Sequence, residues 1–599
     1  MTDYVAPLRD IQFVLEHSSD FAAIAALPGF EHADPSTVAD LLAEAGRFMA
    51  ETVGPLNVVG DHVGSVRNAD GSVTTPPGFK EAYAQYVAAG WGAVPFDEGF
   101  GGGGFPWIVG IALQEMLNSA SMAFAMAPLL TQGAIDAIEH HGSEAQKLQF
   151  LPRMITGEWT GSMNLTEPQA GSDVGALRTK AVPQADGTYR ISGTKIFITF
   201  GDHDMAENIV HLVLARTPGA PPGTKGISLF IVPKFLVNDD GSLGGHNDVT
   251  CVSIEHKMGI KASPTCVLAF GEGDGAIGSL VGEENRGMAY MFTMMNQARL
   301  SVGIEGLALG ERAYQQALVY AQQRLQGRAV GAPAGESSPI IDHADVRRML
   351  LTMKALNEAM RRLCYWNAEA LDVARHHPDA DAREQADELA ALLTPLSKAW
   401  CTDMAVEVTS LNVQIHGGMG FIEETGASQH YRDARITPIY EGTNGIQAMD
   451  LVGRKLPMRG GGVVQDHLKR VAALYVELSA AGSEFDGTRR ALADSLGVVQ
   501  EATKWITEHS AAPNDALAGA TPYLRLFANL TAGYLMARSA LAAKKLLDDG
   551  GGDAEFLRSK IVTARFFCEQ LMPAGNGLLG AITAGAGVLF ELDAAGLAR

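Results

Sequence analysis

Between about Thr160 and Gly287 the chain leaves helical periodicity for short β-rich runs (TYRISGTKIFITF, NIVHLVLAR, KGISLFIVP and TCVLAF) cut apart by Gly, Pro and Asp clusters. A block of strands flanked on both sides by helical sequence predicts a small antiparallel β-domain between helical domains, an α+β multidomain protein. Before the block, FKEAYAQYVAAG places Phe79, Tyr83, Tyr86 and Val87 on one helical face with Gly90 as the stop, and the four glycines Gly101 to Gly104 mark a loop. After it, helical periodicity returns near Met291 and runs to about Arg454, broken by the loop GRAVGAPAGESSP. Beyond MRGGGVV lies a further Ala- and Leu-rich stretch with helical candidates DHLKRVAALYVELSA and AGYLMARSALAAKKLLDD. At 599 residues the chain exceeds one hydrophobic core. The expected parts are an N-terminal helical domain over 1–158, an antiparallel β-domain over 159–288, a C-terminal helical domain over 289–457 and a helical extension over 465–599. No repeat of fixed period argues for a solenoid.

With 47% hydrophobic and 19% charged residues this is a folding composition. The formal net charge of −22 argues against a nucleic-acid or anionic-membrane surface, so a bound polyanion must be held by a local basic site. Cys251, Cys266, Cys364, Cys401 and Cys568 are odd in number and show no CxxC pairing, which points away from a disulfide framework or a zinc site and toward a reducing cytoplasm. The N-terminus MTDYVAPLRDIQFVLEH lacks the cationic start and unbroken apolar core of a secretory signal. No stretch reads as the ~20 apolar residues of a membrane span, so a cytoplasmic protein that is not integral to a membrane is expected.

Six segments carry chemistry. In RDARITPIYEGTNGIQ, Glu441 sits on a tight turn before Gly442, Thr443 and Asn444, where a helix opens. In SMNLTEPQAGSDVGALRTKA, a strand breaks at a turn with Thr166, Gly171 and Ser172 as small donors, suited to an anion or a flat ring edge. GTKIFITFGDHD puts Phe197 and Thr199 on one strand face, an aromatic and a hydroxyl beside one another. A helix with Met404, Val408, Leu411 and Ile415 toward the core ends at QIHGGMGF, where Gly417 and Gly418 expose amides. NQARLSVGIEGL spaces Asn296 and Arg299 one helical turn apart, and AQQRLQGR sets Arg324 and Arg328 at a helix end. Singly, each has an ordinary structural explanation: a dipole complement, a β-turn, a half-buried strand, a helix cap, surface charges.

In this order, with GWGAVPFDEGFGG, GSEAQKLQFLPRMITGEW, EHKMGIKASPT and IIDHADVRRMLLTMKA, the segments resemble the acyl-CoA dehydrogenase family over most of residues 80 to 455. The length and extension are similar to larger bacterial members, which include broad-range fatty acyl-CoA and methylmercaptopropionyl-CoA dehydrogenases. The resemblance implies FAD in a cleft between the sheet and the C-terminal, catalytic helices, and Glu441 as the base. Leu165, Thr166 and Ser172 would contact the flavin, Ser172 also lying near the pantetheine. Phe197 and Thr199 would flank the isoalloxazine, where many members carry tryptophan at the aromatic position. Met163 stands where several members have tyrosine. Arg324 and the Gln414, His416, Gly417, Gly418 turn would grip the pyrophosphate and adenosine end, in the family often that of a neighbouring subunit. Thr443 and Asn444 match further FAD contacts; Asn296, Arg299 and Gly442 match positions around the acyl-CoA. Asn296 replaces a common Asp, and the phenylalanine usual shortly after the arginine is absent from RLQGR.

The implied reaction is α,β-dehydrogenation of an acyl-CoA to the trans-2-enoyl-CoA, with electrons passed to electron-transfer flavoprotein. A carboxylate cannot remove a thioester α-proton unaided, so the site must stabilise the enolate, in the family through the backbone N–H of the base and a ribityl hydroxyl. Expulsion of water by the acyl chain favours the basic function of the carboxylate. The alternatives are an acyl-CoA oxidase that lets oxygen reach the reduced flavin, and a catalytically silent acyl-CoA-binding scaffold, which Glu441 disfavours. A nitroalkane oxidase-like enzyme would carry Asp at the base. The extension is expected to dock on the core and favour a homodimer over the tetramers typical of shorter members.

Overall fold

The computed structural model describes residues 4–598, and its chain divides into two compact units, one spanning Leu41–Ser301 and the other made of Pro7–Asp40 with the chain from Val302 onward.

In the first unit, helix α1 (Phe79–Ala88) buries Phe79, Tyr83 and Tyr86 with Val87 at its edge, the face its periodicity predicts. Helix α2 (Trp107–His141) corrects the reading of membrane-spanning capacity: by length and composition it is apolar enough to cross a bilayer, with an 18-residue window of mean hydropathy 1.2. That window is buried inside the unit, and Glu115 and Asp136 are buried on the same helix, which is interrupted at Ser121 (φ −160°, ψ 103°). A helix covered on every side is apolar all round because it is the core.

Eight strands follow: β1 (Trp159–Asn164), β2 (Lys180–Pro183), β3 (Tyr189–Thr199), β4 (Asn208–Ala215), β5 (Ser228–Pro233), β6 (Val249–Ile254), β7 (Thr265–Phe270) and β8 (Ala276–Leu280). They form one sheet in the order β6-β7-β3-β8-β5-β4-β1, with β2 also paired to β3. Every pairing is antiparallel except β1 with β4, which is parallel from Trp159↔Asn208 to Asn164↔Val213. The long connection through β2 and β3 lets β4 return in the same direction. Ile191, Ile198, Val213, Phe230, Leu268 and Phe270 form its core. Between Cys266 and Leu268 of β7 the register against β3 shifts, so Ile196 and Phe197 together oppose Val267: a bulge, with Phe197 at φ 59°.

In the second unit helix α3 (Gly287–Gln323, from Val302) packs with α4 (Ala344–His376) and α5 (Ala380–His416), and the short α6 (Asn444–Asp450) lies on α5. On α5, Met404, Val408 and Ile415 are buried as expected and Leu411 is half-buried. The segment 327–339 is a loop. Arg459, Gly460 and Gly461 all adopt left-handed backbone (φ 50°, 64° and 89°), and Arg459 pairs with Asp466 at 2.7 Å and Glu388 at 3.2 Å. The glycines thus form a pinned turn, not a loose tether.

Beyond it come α7 (Gly462–Ala481), α8 (Asp486–Glu508), α9 (Ala520–Asp548) and α10 (Ala554–Phe566). They dock on α4 and α5: Trp400 Nε1 donates to Asn529 Oδ1 at 2.8 Å, and Trp366 packs against His467 and Tyr534. The early segment Pro7–Asp40 joins the same unit. Asp10 pairs with Lys560, Ser18 Oγ meets Ser539 Oγ at 2.8 Å, and Arg362 donates to the Ser18 carbonyl at 2.7 Å.

Candidate active site

In the sheet unit, the end of β1 runs into a tight turn closed by paired backbone bonds between Glu167 and Ala170 (3.0 and 2.9 Å). The Glu167 side chain turns inward and accepts from Arg178 N (2.7 Å), Thr179 N (3.0 Å) and Thr179 Oγ1 (2.6 Å), and pairs with Lys195 Nζ at 2.8 Å. Lys195 also donates to the Leu165 carbonyl at 3.1 Å and is fully buried. Burial works to raise the Glu167 carboxyl, but Lys195 and these donors outweigh it and hold the group down at about 2; the same burial, opposed by Glu167, lowers Lys195 to about 8. The Ile196 N–H donates to the Thr166 carbonyl at 2.9 Å, so the Leu165–Thr166 segment and the Phe197 bulge lie side by side. The bulge leaves Phe197 59% exposed while Ile198 is buried. Thr199 is half-buried, Ser172 exposed and Met163 buried. On α3, Asn296 is exposed and Arg299 buried, with Nη1 of the arginine 3.4 Å from Asn296 Oδ1.

In the helical unit, Glu441 (φ 57°) and Gly442 (φ 84°) form two consecutive left-handed residues. Such a backbone is costly for glutamate and persists only when its surroundings impose it. They do so from both sides. Thr443 caps α6, its Oγ1 accepting from Ile446 N at 3.2 Å, and Gln447 Nε2 reaches the carbonyls of Glu441 and Gly442 at 3.3 and 3.4 Å. Asn444 Oδ1 accepts from Lys398 Nζ at 2.9 Å, and its amide donates toward Asp403 Oδ1 (2.7 Å) and the Ala399 carbonyl (3.0 Å). On the other flank the Tyr440 hydroxyl donates to the buried carboxyl of Glu305 on α3.

Of the other expected contacts, Arg324 and Gln414 are exposed, and Gly417 is the C-cap of α5 (φ 59°) with Gly418 exposed beside it. His416 faces inward: it stacks on Tyr320 at 4.2 Å and its Nδ1 engages the Asn412 carbonyl at 2.8 Å. Burial lowers its basicity. Its side chain and the amide of Asn444 are thus committed to packing and to anchoring the turn.

Four successive family models cover the chain: the acyl-CoA dehydrogenase N-terminal domain at 40–158, the middle domain at 162–272, the C-terminal domain at 285–456, and the acetyl-CoA dehydrogenase C-terminal-like domain at 465–593. The chain belongs to the acyl-CoA dehydrogenase family. It is 50% identical to 3-methylmercaptopropionyl-CoA dehydrogenase of Ruegeria pomeroyi over 95% of this chain and 96% of that one. It is 38% identical to the broad-specificity linear acyl-CoA dehydrogenase FadE5 of Mycobacterium tuberculosis over 91% of each. Its fold matches that of Caenorhabditis elegans ACDH-11 in complex with C11-CoA at a TM-score of 0.78, with 20% identity, covering 99% of this chain and 97% of the other.

As a member, this acyl-CoA dehydrogenase is an FAD-dependent oxidoreductase. Its residues fit that cofactor. An exposed aromatic ring on a strained bulge beside the Leu165–Thr166 backbone suits a flat ring, and the exposed Arg324 with the Gly417–Gly418 turn offers a cation and amides for phosphate. Sequence reading did not single out Glu167, Lys195, Glu305, Lys398, Tyr440 or Gln447. All but Lys398 stand inside segments it did single out, and Glu305 carries a readable signal: a lone charge in an apolar helical run, LSVGIEGLALG.

Proposed function

We propose that the protein converts an acyl-CoA thioester to the trans-2-enoyl-CoA, with Glu441 removing the α-proton, and passes the electrons to electron-transfer flavoprotein. The observation that carries the reading is the left-handed backbone at Glu441, braced by Gln447, by Asn444 through Lys398, and by Tyr440. A carboxylate held against its conformational preference on a turn fixed from both sides is preorganised, which is what proton abstraction from a weak carbon acid requires. Bound FAD supplies the two-electron acceptor for the β-hydrogen. The protein's own part is to orient the thioester, exclude water and take the α-proton onto a Glu441 carboxylate oxygen. In this reading Met163, Leu165, Thr166, Ser172, Phe197 and Thr199 serve the flavin, Arg324, Gln414, His416, Gly417 and Gly418 the adenosine end, Thr443 and Asn444 the cofactor beside the base, and Asn296, Arg299 and Gly442 the acyl-CoA.

For the acyl group we put short chains first, with the thioether 3-methylmercaptopropionyl group foremost, on the strength of the 50% identical relative that bears that name. The test is anaerobic: purified yellow protein is mixed with methylmercaptopropionyl-, butyryl-, branched and long-chain acyl-CoAs and the flavin absorbance followed. Bleaching by a short acyl-CoA is the expected result. No bleaching by any thioester would refute dehydrogenation, and peroxide formed in step with substrate loss in air would replace it with an oxidase.

We propose that the protein is cytoplasmic, in keeping with its five free, buried cysteines, and a homodimer. The extension packs on α4 and α5, and a docked domain of this size covers on the order of a thousand Å², the area of a real subunit interface. Light scattering should give a dimer for the intact chain. A truncation after Arg459 should give larger assemblies or aggregate. An intact tetramer, or a truncated chain that remains a soluble dimer with full flavin, overturns the assignment.

A further inference from the structure

Glu305 is a carboxyl inside an apolar helix, with no exposed surface. Its Oε2 accepts from the Tyr440 hydroxyl, and its Oε1 lies buried without a hydrogen-bond partner. The phenol it grips belongs to the residue immediately before Glu441, so Glu305 holds one flank of the base's turn while Lys398, through Asn444 at 2.9 Å, holds the other. The ionisable groups that face it are Tyr440 and Glu441 from the turn and Lys398 from α5.

An ionised Glu305 would place a second anion beside Glu441 and leave one of its own oxygens desolvated and unbonded. The neutral acid avoids both costs and can share the hydrogen bond with the phenol in either direction. We propose that Glu305 is a positioning residue for Glu441: as a neutral carboxylic acid it clamps Tyr440 and leaves Glu441 the sole anion of the pair, so that its ionisation on the alkaline side suppresses the reaction. Burial is the main cause that pushes its carboxyl up to about 8; the charge of Glu441 adds to this, while the phenol hydrogen bond and Lys398 oppose it. Tyr440 is itself held neutral, its acidity suppressed first by burial and then by Glu305. The inference rests on Glu441 being the base.

Two measurements on the holoenzyme test it. Infrared spectra of the oxidised protein without substrate, recorded across pH 6.5–9.5, should show a protonated-carboxyl carbonyl band that disappears with a midpoint near 8 and is absent from Glu305→Gln. The rate of anaerobic flavin reduction at saturating acyl-CoA should fall about tenfold one pH unit above that midpoint, where roughly one Glu305 in ten stays neutral, whereas in Glu305→Gln the alkaline limb disappears. Tyr440→Phe, which removes the donor that stabilises the anion, should move the infrared midpoint upward, and serves if Glu305→Gln does not fold. A band already missing at pH 6.5, a midpoint that Tyr440→Phe leaves in place, or a Glu305→Gln rate profile that superimposes on wild type overturns the proposal. The infrared titration needs no turnover, so it separates this failure from that of Glu441 as base.

Discussion

Glu441→Gln should leave the protein yellow and able to bind acyl-CoA while slowing anaerobic flavin reduction by at least about 100-fold, the lower end of what a positioned general base contributes. The substitution keeps shape and hydrogen-bonding reach and removes only the proton acceptor. The turn should survive it. Gln447 holds the carbonyls of residues 441 and 442, and Lys398 and the α5 acceptors hold Asn444, none of which depends on the carboxylate. Glutamine at a φ of 57° is strained no more than glutamate there, so stability should not change in a way that mimics lost chemistry. Equilibrium binding of a non-reacting acyl-CoA analogue and stopped-flow bleaching separate the two effects. Retention of more than a few per cent of the reduction rate would remove Glu441 from the base's role; loss of binding in parallel would make the residue structural.

The layered architecture was legible because periodicity changes sharply at the sheet, and β4 and β5, buried along their whole length, read as mainly apolar runs. Three things were not. The parallel pairing of β1 with β4 depends on how a connection returns, which no local pattern encodes. Phe197 and Thr199 were read as a simple alternating face, but the bulge opposite Val267 breaks the period of two and turns Phe197 outward. The reading that no stretch is apolar enough to span a membrane failed on Trp107–His141, whose scattered polar residues hid the apolar average of a buried helix. Within the site, the motif residues were legible while their supports were not. Lys398 lies 46 residues before Asn444 and Glu305 135 before Tyr440; the lone charge of Glu305 in an apolar run is visible, but the partner it meets at such a separation leaves no mark on either segment. The packing of Pro7–Asp40 with α9 and α10 is hidden in the same way, since nothing local to Asp10 or Lys560 marks them as partners 550 residues apart.

Glu167→Ala should be the most destabilising single change among the sheet unit's polar residues, by about 3–5 kcal/mol, the cost of breaking a buried ion pair from one side. It strands the fully buried ammonium of Lys195 with only the Leu165 carbonyl, and it orphans Arg178 N together with the N–H and hydroxyl of Thr179. Lys195→Met should cost less, because the carboxylate it leaves behind keeps those three donors. Glu167→Gln with Lys195→Met should recover much of the loss, since neither partner is then a lone buried charge. Because the Leu165–Thr166 backbone and the Phe197 bulge hang on this pair, Glu167→Ala should also weaken FAD retention. The pH dependence follows from the carboxyl being held at about 2, below its ordinary 4.5: the stabilisation is complete above about 4.5 and is lost as pH falls through the folded value. Lys195, lowered to about 8, contributes a slope of the same sign in a second window, stability rising as pH goes from about 8 toward its ordinary 10.5. Thermal unfolding of the three variants at fixed FAD concentration is the measurement, with a drop of roughly 10 °C expected for Glu167→Ala. A Glu167→Ala protein that melts within about 2 °C of wild type, or one less perturbed than Lys195→Met, would show that the pair does not support this part of the site.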